Sequence, residues 1–202
     1  MACPHIVPGC GPVDLFLAKQ RYKIARRQIR SAPNNGRILD IGCGGYPFFL
    51  TTVDFAEKYG LDRDIDIGDA EKIKKDGITL INHNIELAGK LPFGDNYFDI
   101  VTMLAVFEHI EPAHLIGIHT DIYRILKPGG MYIVTTPAFW TAGLLKLLAK
   151  LRVISDVPIK EHKGSYKYSA VSSVLQEARF RRDKIRYGYF ELFMNMWVAA
   201  TK

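Results

Sequence analysis

The residues best placed for chemistry lie around Arg37-Ile38-Leu39-Asp40-Ile41-Gly42-Cys43-Gly44-Gly45-Tyr46-Pro47, where a short apolar run breaks into glycines and then into a proline. Gly42 and Gly44 leave the backbone bare, so a ligand can come close to its N–H groups. Pro47 reads as the first residue of a helix, where a missing N–H costs nothing, and that helix would aim the positive end of its dipole at the turn. Strand, turn and helix together form a receptor for something anionic or strongly polar. The dinucleotide fingerprint G-x-G-x-x-G does not fit, because counting from Gly42 the third glycine falls on Pro47.

Two carboxylates narrow the ligand further. Asp40 stands just before the turn and suits a ligand that carries an amino group as well as an acid. Asp62 follows the turn by about 20 residues and ends a short strand, Tyr59 to Leu61, where it can accept both hydroxyls of a ribose. Ammonium, carboxylate and ribose describe S-adenosylmethionine. For proton transfer near neutral pH, His109 and His162 are the candidate bases, the plainer reading of His109 being a structural histidine at a loop–helix junction. A metal site is not expected. His109, His114 and His119 are five residues apart, a rotation of roughly 500° per step that puts neighbours on different helix faces. Cys3, His5 and Cys10 lack a fourth ligand and the C-x2-C spacing.

The residues resemble a known family, the class I S-adenosylmethionine-dependent methyltransferases, and within it the type 11 branch. The resemblance runs from I-L-D-I-G-C-G through L-P-F-G-D-N-Y-F-D-I-V-T-M-L-A-V-F-E-H-I (Leu91 to Ile110) to R-I-L-K-P-G-G-M-Y-I-V-T-T-P (Arg124 to Pro137), about half of the chain. Tyr46 departs from it, standing where the family usually has a further glycine. The resemblance implies an α/β, Rossmann-like fold: a seven-stranded, mostly parallel sheet of order 3-2-1-4-5-7-6, its last strand antiparallel, with helices on both faces. It implies that Asn84 reads the adenine amino group and that Ile85 offers a backbone amide to the ring, the plainer reading of Asn84 being a turn cap. It also implies an N-terminal helix over the cofactor cleft, with Tyr22 close by.

The elements that must position these residues follow from periodicity. Leu15, Ala18, Tyr22, Ala25 and Ile29 form one stripe of a helix over 13–30, with Lys19, Lys23, Arg26, Arg27 and Arg30 on another face. That basic face is either a solvated surface or an attraction for an anionic acceptor. A helix is expected over 48–58, a short charged helix over 71–75, and a third strand over 78–81. A buried fourth strand spans 98–104, with Leu104 ending beside the cofactor and Asp99 held by a turn-side hydrogen bond. A helix starting at Pro112, a Lys127–Gly130 turn, a fifth strand over 131–135, a helix over 169–178 and strands over 185–190 and 194–200 complete the sheet. The 138–168 stretch fits no shared motif and reads as a lid-like insertion: Leu144, Leu145, Leu148 and Leu151 share a helix face, beside Phe139 and Trp140, with Lys146, Lys150 and Arg152 outside.

The 202 residues suit a single domain, 1–202. No apolar run is long enough to span a bilayer, the first residues do not open a signal peptide, and the three cysteines do not suggest a disulfide framework. The expectation is a cytoplasmic protein, with a membrane-surface association left open. The net charge of +6 leaves acidic small molecules, anionic lipid and nucleic acid open as partners. The [D/N]-P-P-[Y/F] segment of amino-directed DNA and glutamine methylation is replaced by Met103-Leu104-Ala105-Val106, and the cysteines at 3, 10 and 43 do not suit cytosine C5 chemistry. What remains is methyl transfer to an O, N or C acceptor on a small molecule, sugar or lipid, with an anionic, apolar-bodied acceptor favoured by the 138–168 stretch. The alternatives are a non-catalytic S-adenosylmethionine-binding module and a basic nucleic-acid-binding protein.

Overall fold

Alternating side chains along the central strands divide the interior into two apolar layers. In the computed structural model, which describes residues 12–29, 35–66, 73–74, 76–141, 163 and 166–202, seven strands form one sheet of order β3-β2-β1-β4-β5-β7-β6. The strands are β1 (Arg37–Ile41), β2 (Glu57–Asp62), β3 (Ile78–Asn82), β4 (Phe98–Leu104), β5 (Leu126–Pro137), β6 (Ile185–Phe190) and β7 (Asn195–Thr201). The pairings of β1 through β5 are parallel, and β7 runs antiparallel to both its neighbours.

Leu39, Ile41, Val101, Met103 and Val134 point into one layer, where α2 (Pro112–Ile125) brings Leu115, Ile118 and Ile122, and α3 (Tyr168–Glu177) brings Val171 and Leu175. Ile38, Ile100, Ile133 and Ala199 point the other way, against Ala25 and Ile29 of the α1 region (α1 is Pro12–Gln28) and against Phe49 and Leu50. Each fully buried Leu or Ile is worth about 1.5–3 kcal/mol. The register is therefore firm, because a slip of one residue would send every side chain of a strand into the other layer.

Three local expectations need correction. No helix runs from 48 to 58: the turn leads only into a 3-10 turn at Leu50–Thr52, and Glu57 and Lys58 already belong to β2. Thr51 and Thr52 donate their hydroxyls to the carbonyls of Phe48 and Phe49 at 2.8 and 2.7 Å, local bonds that compete with helix propagation in a β-branched run. Pro47 consequently starts no helix, and no helix dipole points at the turn. Next, β5 begins at Leu126, and Lys127–Gly130 is a bulge inside it, since Phe98 pairs with Leu126 and Ile100 with Met131. Finally, Asp99 makes no turn bond; its Oδ2 accepts the N–H of Arg37 at 2.8 Å and Lys127 Nζ at 2.7 Å, tying β4 to both neighbours.

The stripe of α1 is as expected, with Lys19, Lys23, Arg26 and Arg27 exposed. Gly188 lies within β6. Of the 71–75 helix, only 73 and 74 are described, and both are helical. Most of the 138–168 stretch, including its leucine helix and His162, lies outside the described residues, as do Cys3, His5 and Cys10.

Candidate active site

Gly42 and Gly44 take positive φ values of 75° and 70°, and for opposite spatial reasons. A Cβ on Gly42 would stand 2.2 Å from Cγ2 of Val106, whereas one on Gly44 would meet nothing within 4 Å. The first glycine lets the loop after β4 come close; the second leaves a bare shelf over open space. Hydrogen bonds from β2 hold the shelf: Gly42 N and Cys43 N donate to Leu61 O at 2.7 and 3.3 Å, and Gly44 N donates to Asp62 Oδ2 at 2.8 Å. Asp62 Oδ1 accepts the N–H of Asp64 at 3.0 Å. A carboxylate has about four lone-pair sites, so Asp62 retains acceptor capacity for two hydroxyls.

Beside this shelf is a cavity of about 200 Å³, lined among others by Gly42, Asp62, Asn84, Ile85, Val106 and His109. Five of the nine site residues expected from sequence (Gly42, Asp62, Asn84, Ile85 and His109) thus meet at one opening, on the edge where parallel strands end. Asn84 also caps its turn, accepting the Glu86 N–H at 3.0 Å through Oδ1. The adenine amino group donates and so calls on Oδ1 as well, whose second lone pair is left over by the turn bond, so the two roles do not exclude each other.

Asp40, Gly44 and Leu104 do not line the cavity. Asp40 is buried below the turn, where it pairs in register with Thr102 and accepts its hydroxyl at 2.6 Å. Burial pushes its carboxyl up to about 7, with the nearby Asp62 adding to the shift and Thr102 opposing it. Leu104 packs in the α1-side layer with Tyr22 and Tyr46. Tyr22 lies against Phe48 and Phe49. His109 belongs to the Phe107–His109 turn, outside the helix that carries His114 and His119. His114 faces Glu86 on the rim at 3.3 Å, while His119 is buried between Leu115 O at 2.7 Å and Tyr132 OH at 3.1 Å. Among the described residues no group of three or more His, Cys, Asp or Glu could hold a metal ion.

A second cavity, of about 420 Å³, lies at the same edge of the sheet. Here the ends of β5 and β6 meet the start of β7, for Pro137 and Phe190 both pair with Asn195. Its walls are aromatic: Phe139, Trp140, Tyr166, Tyr168, Tyr187, Tyr189 and Phe193. Tyr168 and Tyr187 stack with centroids 3.6 Å apart, Lys167 Nζ sits 4.7 Å over the Phe139 ring, and Tyr166 meets Phe107 edge-on at 4.9 Å. Phe107 opens the short 3-10 turn Phe107–His109, which reaches back to the first cavity. Residue 163 is tied to the same turn through Lys163 N to Glu108 O, 2.8 Å.

Sequence reasoning singled out Phe139 and Trp140 but missed the tyrosines facing them. The signal was present in Tyr187-Gly188-Tyr189, a period-2 aromatic pair on one face of β6. Glu108 was passed over in favour of its neighbour His109. Only the fold reveals that Glu108 is buried, at 2% exposure.

Residues 39–134 match the methyltransferase domain family. A demethylmenaquinone methyltransferase of Staphylococcus epidermidis is 26% identical over 159 residues, covering 71% of this chain and 62% of that protein. An uncharacterized methyltransferase of Synechocystis sp. is 32% identical over 111 residues, covering 52% of this chain and 50% of its own. The chain therefore spans less than two thirds of the length of these relatives. Among solved structures, a SAM-dependent methyltransferase from Thermotoga maritima superposes with a TM-score of 0.67 at 20% identity, over 93% of this chain and 92% of that one. One from Archaeoglobus fulgidus gives 0.64 at 18% identity, over 95% and 100%.

Proposed function

We propose that this chain, which carries a class I S-adenosylmethionine-dependent methyltransferase domain, transfers a methyl group to a small-molecule or lipid-like acceptor with an apolar ring body. The observation that carries this reading is the pair of cavities on one sheet edge, one polar and one aromatic, joined by the Phe107–His109 turn. The polar cavity suits the donor: Asp62 would take the ribose, Asn84 and Ile85 the adenine, and the Gly42–Gly44 shelf the methionine end, with Asp40 acting from beneath through the turn. S-adenosylmethionine supplies a methyl group already activated by its sulfonium charge. The chain's own residues need to align the acceptor, exclude water and accept a proton where the acceptor carries one.

The aromatic cleft suits the acceptor. Flat rings stack on Tyr and Trp faces, and the Lys167 ammonium adds affinity for an anionic substituent. The demethylmenaquinone methyltransferase relatives support a quinone-like ring. Phe193 at 67% exposure and Leu192 at 87% form an apolar lip, which supports an acceptor delivered from a membrane surface. The test joins binding and turnover. S-adenosylhomocysteine should bind by calorimetry, and labelled S-adenosylmethionine should label hydroxylated naphthalenes and naphthohydroquinones in preference to aliphatic acids and sugars. Tyr187→Ala should weaken the ring acceptors while leaving S-adenosylhomocysteine affinity unchanged. Labelling confined to acceptors without a ring would overturn the acceptor assignment, and a failure to bind S-adenosylhomocysteine would overturn the function.

A further inference from the structure

A set of buried polar groups, a seam next in sequence to residues of both cavities, belongs to the lining of neither. Glu108 is 2% exposed and Thr136 1% exposed, yet Glu108 Oε2 and Thr136 Oγ1 both end without a hydrogen-bond partner, as does the buried Nε of Arg21. The Thr136 hydroxyl is near enough to the Glu108 carboxyl to lower its pKa, and Arg21 acts on it from α1, but no completed hydrogen bond joins them among the described residues. Glu191 adds a further buried oxygen, Oε1, without a partner, while its Oε2 accepts Asn195 Nδ2. Four orphaned polar atoms on four elements are uncommon in a folded interior, where such groups are normally satisfied.

Their position decides what they await. His109, next to Glu108, lines the donor cavity, whereas Ala138, two residues after Thr136, and Phe193, two after Glu191, line the aromatic cleft. An acceptor ring in the cleft has to present its reacting atom toward the donor, and residues within two positions of the seam line both cavities. We propose that Glu108 receives the proton of an acceptor hydroxyl during methyl transfer, with the Thr136 hydroxyl and the Arg21 guanidinium holding the acceptor oxygen in place. This proposal rests on the methyltransferase reading above. In the step, the acceptor O–H bond breaks and its proton passes to Glu108 Oε2, while the oxygen forms a bond to the methyl carbon. The methyl–sulfur bond breaks with its electron pair left on sulfur, giving neutral S-adenosylhomocysteine, and Glu108 returns the proton to water as product leaves.

Electrostatics support the assignment. Burial raises the Glu108 carboxyl above the ordinary carboxylate range, with His109, Thr136 and Arg21 opposing, which makes it a stronger base than an exposed glutamate. Tyr166, whose buried OH also lacks a partner, lines the cleft, and the pKa of its phenol is raised by burial, by Glu111 and by Glu108.

The probe is 1-naphthol, a photoacid that emits differently as naphthol and as naphtholate, added to protein saturated with S-adenosylhomocysteine. In the wild type, bound 1-naphthol should emit as naphtholate because a proton acceptor touches its hydroxyl. Glu108→Gln should keep the probe bound but shift its emission to the neutral form. Where a ring hydroxyl is methylated, Glu108→Gln should lower kcat about 100-fold or more. If Glu108→Gln does not fold, Thr136→Val keeps the side-chain shape and should reduce the naphtholate share. Naphtholate emission that survives these substitutions overturns the proposal, as does a wild type that does not bind 1-naphthol. Calorimetry with S-adenosylhomocysteine on the same samples separates the two readings. If the wild type fails to bind it, the methyltransferase reading itself falls, whereas intact binding with unchanged emission rejects only the role of Glu108.

Discussion

Substituting alanine at the two turn glycines separates backbone strain from close approach. Both positions have positive φ, so either alanine costs roughly 1–2 kcal/mol of stability from conformation alone. At Gly44 nothing further is lost, since the new methyl meets open space. At Gly42 the methyl would lie 2.2 Å from Val106 Cγ2 and 3.2 Å from its Cγ1 and Cβ, a contact that must be relieved by moving the loop after β4. Such overpacking adds about 1–3 kcal/mol. Gly42→Ala should therefore cost about 2–5 kcal/mol and Gly44→Ala about 1–2. Val106→Ala removes both offending γ carbons, so the Gly42→Ala/Val106→Ala double variant should recover the overpacking part, a coupling of about 1–3 kcal/mol. Urea denaturation of the four proteins closes the cycle, and the m-value checks that the unfolding reaction is the same in each. Strict additivity would refute the close-approach argument and leave Gly42 as a conformational requirement only.

Asp62→Ala should weaken S-adenosylhomocysteine by about 2 kcal/mol or more, from lost charged hydrogen bonds and a released Gly44 N–H, and calorimetry on mutant and wild type measures it. Two buried groups should tilt stability against pH in opposite directions. Asp40 stands at about 7 in the fold against an ordinary 3.8, so its contribution is complete below pH 3.8 and fades as pH rises to 7, by about 4 kcal/mol at most. His119, driven by burial to about 4 from 6.5, contributes fully above pH 6.5 and loses about 3 kcal/mol as pH falls to 4. Asp40→Asn should thus make stability rise with pH between 4 and 6.5, and His119→Gln should make it fall; urea midpoints across this window that move the same way in both variants would refute the assignments.

The legible part of this protein was what neighbours in sequence build. Ile38 to Gly44 announces strand and turn because apolar run and glycines are adjacent, and Phe98 to Leu104 announces a doubly buried strand by its continuous apolar run. Failure came where a local competitor or a distant partner decides. Thr51 and Thr52 bond back to Phe48 and Phe49 and stop a helix that Pro47 seemed to start. The bulge in β5 appears only when Phe98 and Ile100 take their partners. Glu108 meets Arg21 and Thr136 from different elements, and the aromatic cleft joins residues 139–140 to 187–193, so no window along the chain contains either.

The bond from Gly44 N to Asp62 also bears on how quickly a ligand enters. The protein's own groups hold the shelf, since Leu61 O and Asp62 Oδ2 accept from three successive amides. A ligand arriving there meets a turn tied down by its own hydrogen bonds and needs only to share a carboxylate that keeps lone pairs to spare. Association should then be a single encounter. Mixed rapidly with S-adenosylhomocysteine, the protein should show one exponential whose rate climbs linearly with ligand concentration and reaches no plateau, the kinetic mark of a site that does not wait for a conformational change.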